Sequence, residues 1–445
     1  MDITIDLKNY QCENSIFKRT AARGIIRQTS KDRSSEAFSA NAEVKYLLIY
    51  SKKGDYKFPG GGLEKGEKLE ETLVREIQEE TGYQVIRSTI QKYGKVLERR
   101  KGDHEDVMEM ESHYFVCEVA QEVGNRNLDE YEEEYDYQVV WMTLEEAIAK
   151  NKQIPAFDSC PWVLRDLRVM EMLVGEQYLS NEVLPFFSKD LAAFIKDHSF
   201  EIDSIGRSRA KIFLFDHDLV LKVEPILNES NGEYEMLKWL QGRLPVPKII
   251  SFHTDGQKNY LLMTRLAGKM ACAPDSFVDR GKMARLLAKG LRKLWQVDIQ
   301  NCPRTINLDY KLEKALDRIN NNLVDIDDAE PGTFGPDGFD DPRALYEYLR
   351  DNKPEEESVL IHGDYCLPNV FFDHDKISGY LDLGHSGIGD KWQDIALALR
   401  SMRHNLEAIG EEEEYTSLHH IFFEELGLEP DEEKIRYYIL LDELF

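Results

Sequence analysis

Residues 362–394 read HGDYCLPNVFFDHDKISGYLDLGHSGIGDKWQD, and three polar side chains in this stretch constrain the chain more than any others. Asp364 stands five residues before Asn369, and Asp382 opens the tripeptide Asp382-Leu383-Gly384. These residue types suit phosphoryl transfer. A hydroxyl nucleophile needs a carboxylate to orient it and take its proton, and nucleotide phosphates need Mg²⁺ held by an amide oxygen and a second carboxylate. Hard oxygen donors suit Mg²⁺, which keeps several waters and takes few protein ligands. The plainer reading is an acidic, glycine-rich loop between strands. It gives no reason for three polar identities to fall at these spacings together.

At 445 residues the chain is too long for one core, so two or three domains are expected. Its net charge of −27 argues against nucleic-acid partners, whose phosphates it would repel. The charge favours cationic small molecules or Mg²⁺-bound nucleotides, although a solubilising acidic surface accounts for it equally well. The cysteines (Cys12, Cys117, Cys160, Cys272, Cys302 and Cys366) are scattered, with no C-x-x-C pair. That pattern suggests reduced thiols in a cytoplasmic protein rather than a disulfide framework or a zinc site. The N-terminus MDITIDLKNYQ lacks a basic and then apolar leader, and no apolar run approaches the length of a membrane span. Neither secretion nor a membrane is expected, and the oligomeric state is not readable.

Strand-like runs occupy 19–28, 44–51, 111–120 and 138–143, with a helical pattern over 67–80 and closing helices at LEEAIAK and 162–173. The polar stretch GEQYLSNE is the expected junction, which divides the chain into 1–175, a short linker at 176–182, and 183–445. The second part reads as a small mixed lobe to about 266, with strands at 211–223, 248–251 and 259–264 and a helix at 230–241. A larger helical lobe follows from about 267, with helices at 280–297 and 309–323.

A second chemical centre lies at GGGLEKGEKLEETLVREIQEETGY, residues 60–83. On a helix, Glu76, Glu79 and Glu80 share a face, where like charges repel unless a divalent cation reverses the penalty. The glycines allow a tight loop and close backbone approach to a phosphate. Arg75 is expected to pair with Glu67 and pin the loop to the helix.

Gly61, Glu67, Arg75, Glu76, Glu79, Glu80 and Gly82 fit the box of the Nudix hydrolases, which residues 1–175 therefore resemble. The resemblance implies an α/β/α sandwich and Mg²⁺-dependent hydrolysis of a nucleoside diphosphate linked to another group. It makes Glu76, Glu79 and Glu80 metal ligands, with Glu79 and Glu80 catalytic, while Gly61 and Glu67 shape the loop. Tyr83 departs from the family's aliphatic residue, which should affect packing more than chemistry. Glu109 and Glu111 are weaker candidates for a water-activating base, and surface carboxylates are the better reading of both.

The spacing of Asp364, Asn369 and Asp382 is that of protein kinases. Residues 183–445 resemble more closely the aminoglycoside phosphotransferases, particularly the 3′-phosphotransferases of kanamycin and neomycin. The resemblance rests on LPVPKII, the HGD loop, SGYLDLG, GDKWQDIAL and the terminal YYILLDELF. It implies a bilobal protein-kinase-like fold and phosphorylation of an aminoglycoside hydroxyl by ATP or GTP with Mg²⁺, conferring resistance. In it, Asp364 would be the base, and Asn369 and Asp382 would hold Mg²⁺. Lys222 would reach the α- and β-phosphates, Glu233 would fix Lys222, and Ser208 in the IGRSRA turn would contact phosphate. The antibiotic's amines would meet Asp442, Glu443 and the terminal carboxylate of Phe445, with Glu407, Asp328 and Glu330 as further contacts. His385 stands where close members carry arginine, and Val220 where one subgroup stacks an aromatic ring on adenine. The alternative left open is a kinase of another small alcohol, with the Nudix part as a non-catalytic binding or dimerisation module.

Overall fold

The runs expected as strands pair into sheets within two units, Met1–Ile202 and Asp203–Phe445. The computed structural model describes residues 2–28, 44–102, 104–154, 162–203, 210–216, 218–226, 232–336 and 338–445.

In the first unit a five-stranded sheet runs in the order Asp2–Asp6, Gln91–Lys101, Val107–Val116, Ile16–Ile25, Gly60–Gly62. A three-stranded sheet holds Gln138–Met142, Tyr46–Tyr50 and Tyr56–Lys57. Helix Leu69–Thr81 covers one side, burying Leu73 and Ile77 completely against Ala22, Ile26, Leu47 and Phe115. Burial of each such side chain contributes roughly 1.5–3 kcal/mol. Helices Leu144–Asn151 and Trp162–Tyr178 cover the other side, packing Leu144, Val169 and Met170 on Ile25, Leu48, Val96 and Tyr114. This is the α/β/α sandwich expected of the Nudix resemblance. Strand Asp2–Asp6 pairs parallel to Gln91–Lys101, an element its short, charge-interrupted sequence does not announce. Tyr83 packs edge-on against Trp141 at 6.1 Å, so the departure from the box pattern is taken up in packing.

The expected linker is helical instead. Trp162–Tyr178 runs directly into a π-helical turn at Leu179–Val183, and the division between units falls after Ile202. Gly175 shows why: a Cβ there would lie 2.8 Å from side-chain atoms of Phe200 and Ile202. The chain beyond the polar stretch therefore folds back onto this helix.

In the second unit Lys211–Phe215, Leu219–Pro225, Lys258–Thr264 and Ile249–Thr254 are antiparallel neighbours in that order. Helix Gly232–Leu240 buries Met236, Leu237 and Leu240 in the same core. The helices Arg280–Trp295, Leu308–Asn320, Pro342–Asp351, Lys391–Glu407, Tyr415–Leu426 and Glu432–Asp442 follow. Among them lie two antiparallel pairs, the hairpin Val370–Asp373 with Lys376–Tyr380 and, closing around it, Ser358–Ile361 with Gly387–Asp390. This small mixed part followed by a helical part is the kinase-like plan. Among the described residues no helix is long and apolar enough to cross a membrane.

Asp166 fixes the approach to the glycine strand of the first unit. Fully buried, it accepts from Arg165 Nη2 at 2.7 Å, Tyr114 Oη at 3.2 Å and the Phe58 amide at 3.4 Å. Removing one partner of a buried pair leaves the other charge uncompensated, at a cost of about 3–5 kcal/mol. Asp166→Ala is therefore expected to destabilise the first unit by that amount, read as a lowered midpoint of its unfolding transition in a calorimetric scan.

Candidate active sites

The loop carrying Asp364 is held by its backbone. Asp394, fully buried, accepts the amides of His362 and Gly363 at 2.6 and 2.8 Å, and Gln393 Nε2 donates to the Gly363 carbonyl at 3.0 Å. Gly363 has φ of 85°, and a Cβ there would overlap the His385 carbonyl, so only glycine lets the two loops touch. Asn369 Nδ2 donates to the Asp364 carboxylate at 2.9 Å and to its carbonyl at 3.1 Å. That contact pins Asp364 and leaves Asn369 Oδ1 as a hard acceptor.

Lys222 lies on strand Leu219–Pro225, buried, with its ammonium 2.7 Å from Glu233 Oε2 and 3.0 Å from Asp382 Oδ1. Glu224 stands 3.7 Å away. Burial alone would push the Lys222 ammonium down, but Glu233 and Asp382 outweigh it and hold it raised. Burial likewise opposes the charge on Asp382, yet Lys222 keeps its carboxyl below the usual range. Burial pushes Glu224 up to about 7. Asp382 adopts left-handed backbone, with φ of 56°. An L-residue pays about 1–2 kcal/mol to hold that conformation. The oxygen donors of Asn369 and Asp382 fit Mg²⁺. Ser208 lies outside the described residues.

The C-terminal acids form one cluster with two arginines. Arg400 pairs with Asp442 and, at 3.1 Å, with Glu443, whose other oxygen accepts the Glu330 amide at 2.9 Å. Arg403 pairs with Glu330 and approaches Glu407 at 3.7 Å, and His404 Nε2 lies 2.9 Å from Glu330 Oε1. Phe445 sits apart from these contacts. Its carbonyl accepts from Arg318, and its ring lies 4.6 Å beneath Lys311 Nζ. Asp328 is exposed.

In the first unit, Lys68 donates its amide to Glu71 at 2.9 Å to start helix Leu69–Thr81, and left-handed Gly82 ends it. Arg75 meets Glu67 at 3.0 Å, the Gly62 carbonyl at 3.1 Å, Glu76 at 2.8 Å and Glu79 at 3.0 Å. The guanidinium holds the Glu67 carboxyl down at about 2. Glu80 is engaged elsewhere: it accepts the Gly60 amide at 2.7 Å and lies 3.8 Å from Lys57 Nζ. Among the described residues no three acids, histidines or cysteines converge as a ready-made metal cage. The protein's own cations, Arg75 and Lys57, divide the box acids between them. A Cβ on Gly61 would overlap the Glu76 carboxylate, so the glycine keeps that acid open to a ligand. With hard oxygens on Glu76, Glu79 and Glu80, the set fits Mg²⁺. Glu109 pairs with Lys18 and Arg99, and Glu111 with Lys95 and His113, as structural surface carboxylates would. A cavity of about 790 Å³ opens on Glu76, Glu80 and Gly60–Gly62.

Sequence reasoning missed Asp394, Arg400 and Arg403 in the second unit, and Lys57 in the first. Asp394 had a signal, because it closes the run GDKWQD. The others carry none beyond residue type.

A kinase-like fold carrying Asp364, Asn369 and Asp382 on its loops defines the class, and comparison with known proteins agrees. The chain belongs to the Phosphotransferase enzyme family, which matches residues 200–436, and residues 37–163 match the NUDIX domain. The aminoglycoside 3′-phosphotransferase of Enterococcus faecalis is 40% identical over 269 residues, spanning 58% of this chain and 98% of that protein. That of Staphylococcus aureus is 40% identical over 268 residues, with the same shares. An aminoglycoside phosphotransferase structure from Streptomyces rimosus superposes with a TM-score of 0.50 at 24% identity, covering 57% of this chain and 95% of that one. At that identity the likeness is one of fold.

Burial pushes Glu80 up to about 8, against an ordinary value of 4.5, and pushes Lys57 down. The proton on folded Glu80 thus stabilises the unit in full below the ordinary value, and this contribution is lost as pH rises through about 8. The melting temperature of the first unit should fall between pH 5 and pH 9 more steeply in the wild type than in Glu80→Gln, as followed by thermal scans across that range.

Proposed function

We propose that the Asp203–Phe445 unit transfers the γ-phosphoryl group of ATP, or GTP, to an aminoglycoside hydroxyl, the 3′-hydroxyl of kanamycin- and neomycin-type compounds. The observation that carries this reading is the shared Lys222 ammonium, held by Glu233 and Asp382, in the same unit as an Asp364 pinned by Asn369. The relatives at 40% identity, matched over 98% of their length, support the substrate class.

Asp364 orients the acceptor hydroxyl and takes its proton as the alcohol oxygen bonds to the γ-phosphorus. The bond from that phosphorus to the β–γ bridging oxygen breaks, and its electron pair leaves with the nucleoside diphosphate. Lys222 holds the α- and β-phosphates, with Glu233 fixing its direction. Asn369 and Asp382 would hold Mg²⁺, which when bound would supply positive charge to the nucleotide phosphates. Positioning and charge neutralisation account for most of such catalysis. Asp442, Glu443, Glu330 and Glu407 supply carboxylates for a polyamine, whose ammonium groups would exchange for the guanidinium contacts of Arg400 and Arg403. The product carries an anionic phosphate where the antibiotic had a neutral hydroxyl, which is a route to resistance.

The first unit is proposed to hydrolyse a nucleoside diphosphate derivative. Glu76, Glu79 and Glu80 would hold Mg²⁺, and Arg75 with Glu67 fixes the loop that receives the diphosphate.

Two measurements test these readings. Purified full-length protein should release ADP with kanamycin and neomycin but not with choline, and mass spectrometry with NMR should find the phosphate on the 3′-hydroxyl. Asp364→Ala should lower kcat by about 10³-fold, the size of a lost general base. Turnover of choline alone would overturn the kinase assignment. Separately, Glu79→Gln should reduce release of nucleoside monophosphate from a nucleoside diphosphate sugar by at least about 10²-fold, whereas unchanged hydrolysis would favour a binding module.

A further inference from the structure

The cavity beside the box acids has a wall that diphosphate hydrolysis does not require. Tyr131, in the short helix Glu130–Glu134, and Tyr135, which caps that helix, bring their rings to 4.4 Å, tilted by 37°. Trp162 reaches the same cavity from the start of helix Trp162–Tyr178, with its indole nitrogen donating to Asp55 at 2.9 Å. Lys53, on the turn after strand Tyr46–Tyr50, sets its ammonium 4.6 Å from the Tyr135 ring centre and 4.8 Å from that of Trp162. Local packing explains the Tyr131–Tyr135 pair, because residues four apart on a helix are neighbours. It does not explain why Lys53, from another element, sets its ammonium against both the Tyr135 ring and the Trp162 ring in the lining of one cavity.

The remaining lining is of a different kind. Arg19 and Arg23 line it beside the glycine strand, with Arg23 Nη1 donating to the Gly60 carbonyl at 3.1 Å, and Glu76 and Glu80 lie with them. One cavity therefore joins aromatic faces and an ammonium to guanidinium groups and hard carboxylates. A polyphosphate or a phosphorylated polyol would use the arginines and have no use for the rings. A planar heterocycle that carries a diphosphate uses both. The volume of about 790 Å³ is within the range of about 300–1,000 Å³ typical of small-ligand sites.

We propose that Tyr135 and Trp162, with Lys53 between them, form the nucleobase subsite of the first unit. The base stacks on the rings, Lys53 donates to a ring carbonyl or ring nitrogen, and the diphosphate extends to Arg19, Arg23 and the box acids. This rests on the hydrolase reading above and adds to it that the substrate is selected through its base.

The test uses the full-length chain with ADP-ribose, a UDP-hexose and a GDP-hexose, and with 5-phosphoribosyl 1-diphosphate as a base-free diphosphate. Tyr135→Ala and Trp162→Ala should each raise KM for the hydrolysed nucleotide about tenfold, the size of one lost base–aromatic stack. Their kcat should stay within about twofold, and hydrolysis of the base-free compound should not change. Trp162→Phe keeps a ring and should keep KM. Lys53→Ala alters an exposed side chain and should raise KM severalfold with the fold intact. Unchanged KM in Tyr135→Ala and Lys53→Ala, or equal turnover of the base-free diphosphate, overturns the subsite while leaving the hydrolase standing.

Binding without turnover separates the two ideas. The fluorescence quenched by nucleotide in wild type but not in Trp162→Phe reports on this one ring. If no compound is hydrolysed but that quenching occurs and is lost in Tyr135→Ala, the subsite holds and the hydrolase reading fails. If neither hydrolysis nor that quenching occurs, both fall.

Discussion

The second unit depends on one buried ammonium. Lys222 comes from the strand Leu219–Pro225, Glu233 from the helix Gly232–Leu240, and Asp382 from the turn after Lys376–Tyr380. Two neighbouring elements and a turn far along the chain are thereby referenced to one nitrogen. The arrangement is costly to break, because losing Lys222 strands the buried Glu233 carboxylate in poorly solvated surroundings. The same contact holds Asp382 in a left-handed conformation that an aspartate would not choose. The lysine therefore organises the loop as well as serving it.

The first unit meets a related difficulty with the opposite inventory. Three glutamates on one helical face repel, and the chain answers with two cations from different places. Arg75 gathers Glu67, Glu76 and Glu79 from within the helix, and Lys57 approaches Glu80 from the strand that leads to the glycines. The acids are thus divided between a partly buried group on Arg75 and the enclosed Glu80 beside Lys57. Glu80, almost wholly enclosed, is the member whose protonation is most altered by its surroundings.

Both centres are legible in the sequence because their chemistry is carried by short spacings. The loop from Asp364 to Asn369 and the helix from Arg75 to Glu80 are each a few residues long, so spacing fixes geometry. Hydrophobic periodicity gives most strands and helices for a similar reason. Features built from distant segments are not legible. Arg400 and Arg403 read as ordinary helix-surface arginines until the chain folds Asp442 and Glu443 against the first and Glu330 against the second. The cavity wall needs Lys53, Tyr135 and Trp162 from three separate elements. The polar residues at 176–182 fall on a helical turn that buries Leu179 and Val183, and Gly175, which lets later chain pack there, looks like any other glycine.

On the proposed function, the acid cluster at the C-terminus would act as an ion exchanger loaded with its own counter-ions. Arg400 and Arg403 already occupy the oxygens of Asp442, Glu443 and Glu330. A monocationic visitor trades one contact for another and gains little. A ligand carrying several amines on a rigid frame displaces many contacts while losing its freedom of motion only once. Discrimination by valence, rather than by shape, would then follow from arginines occupying the proposed amine site.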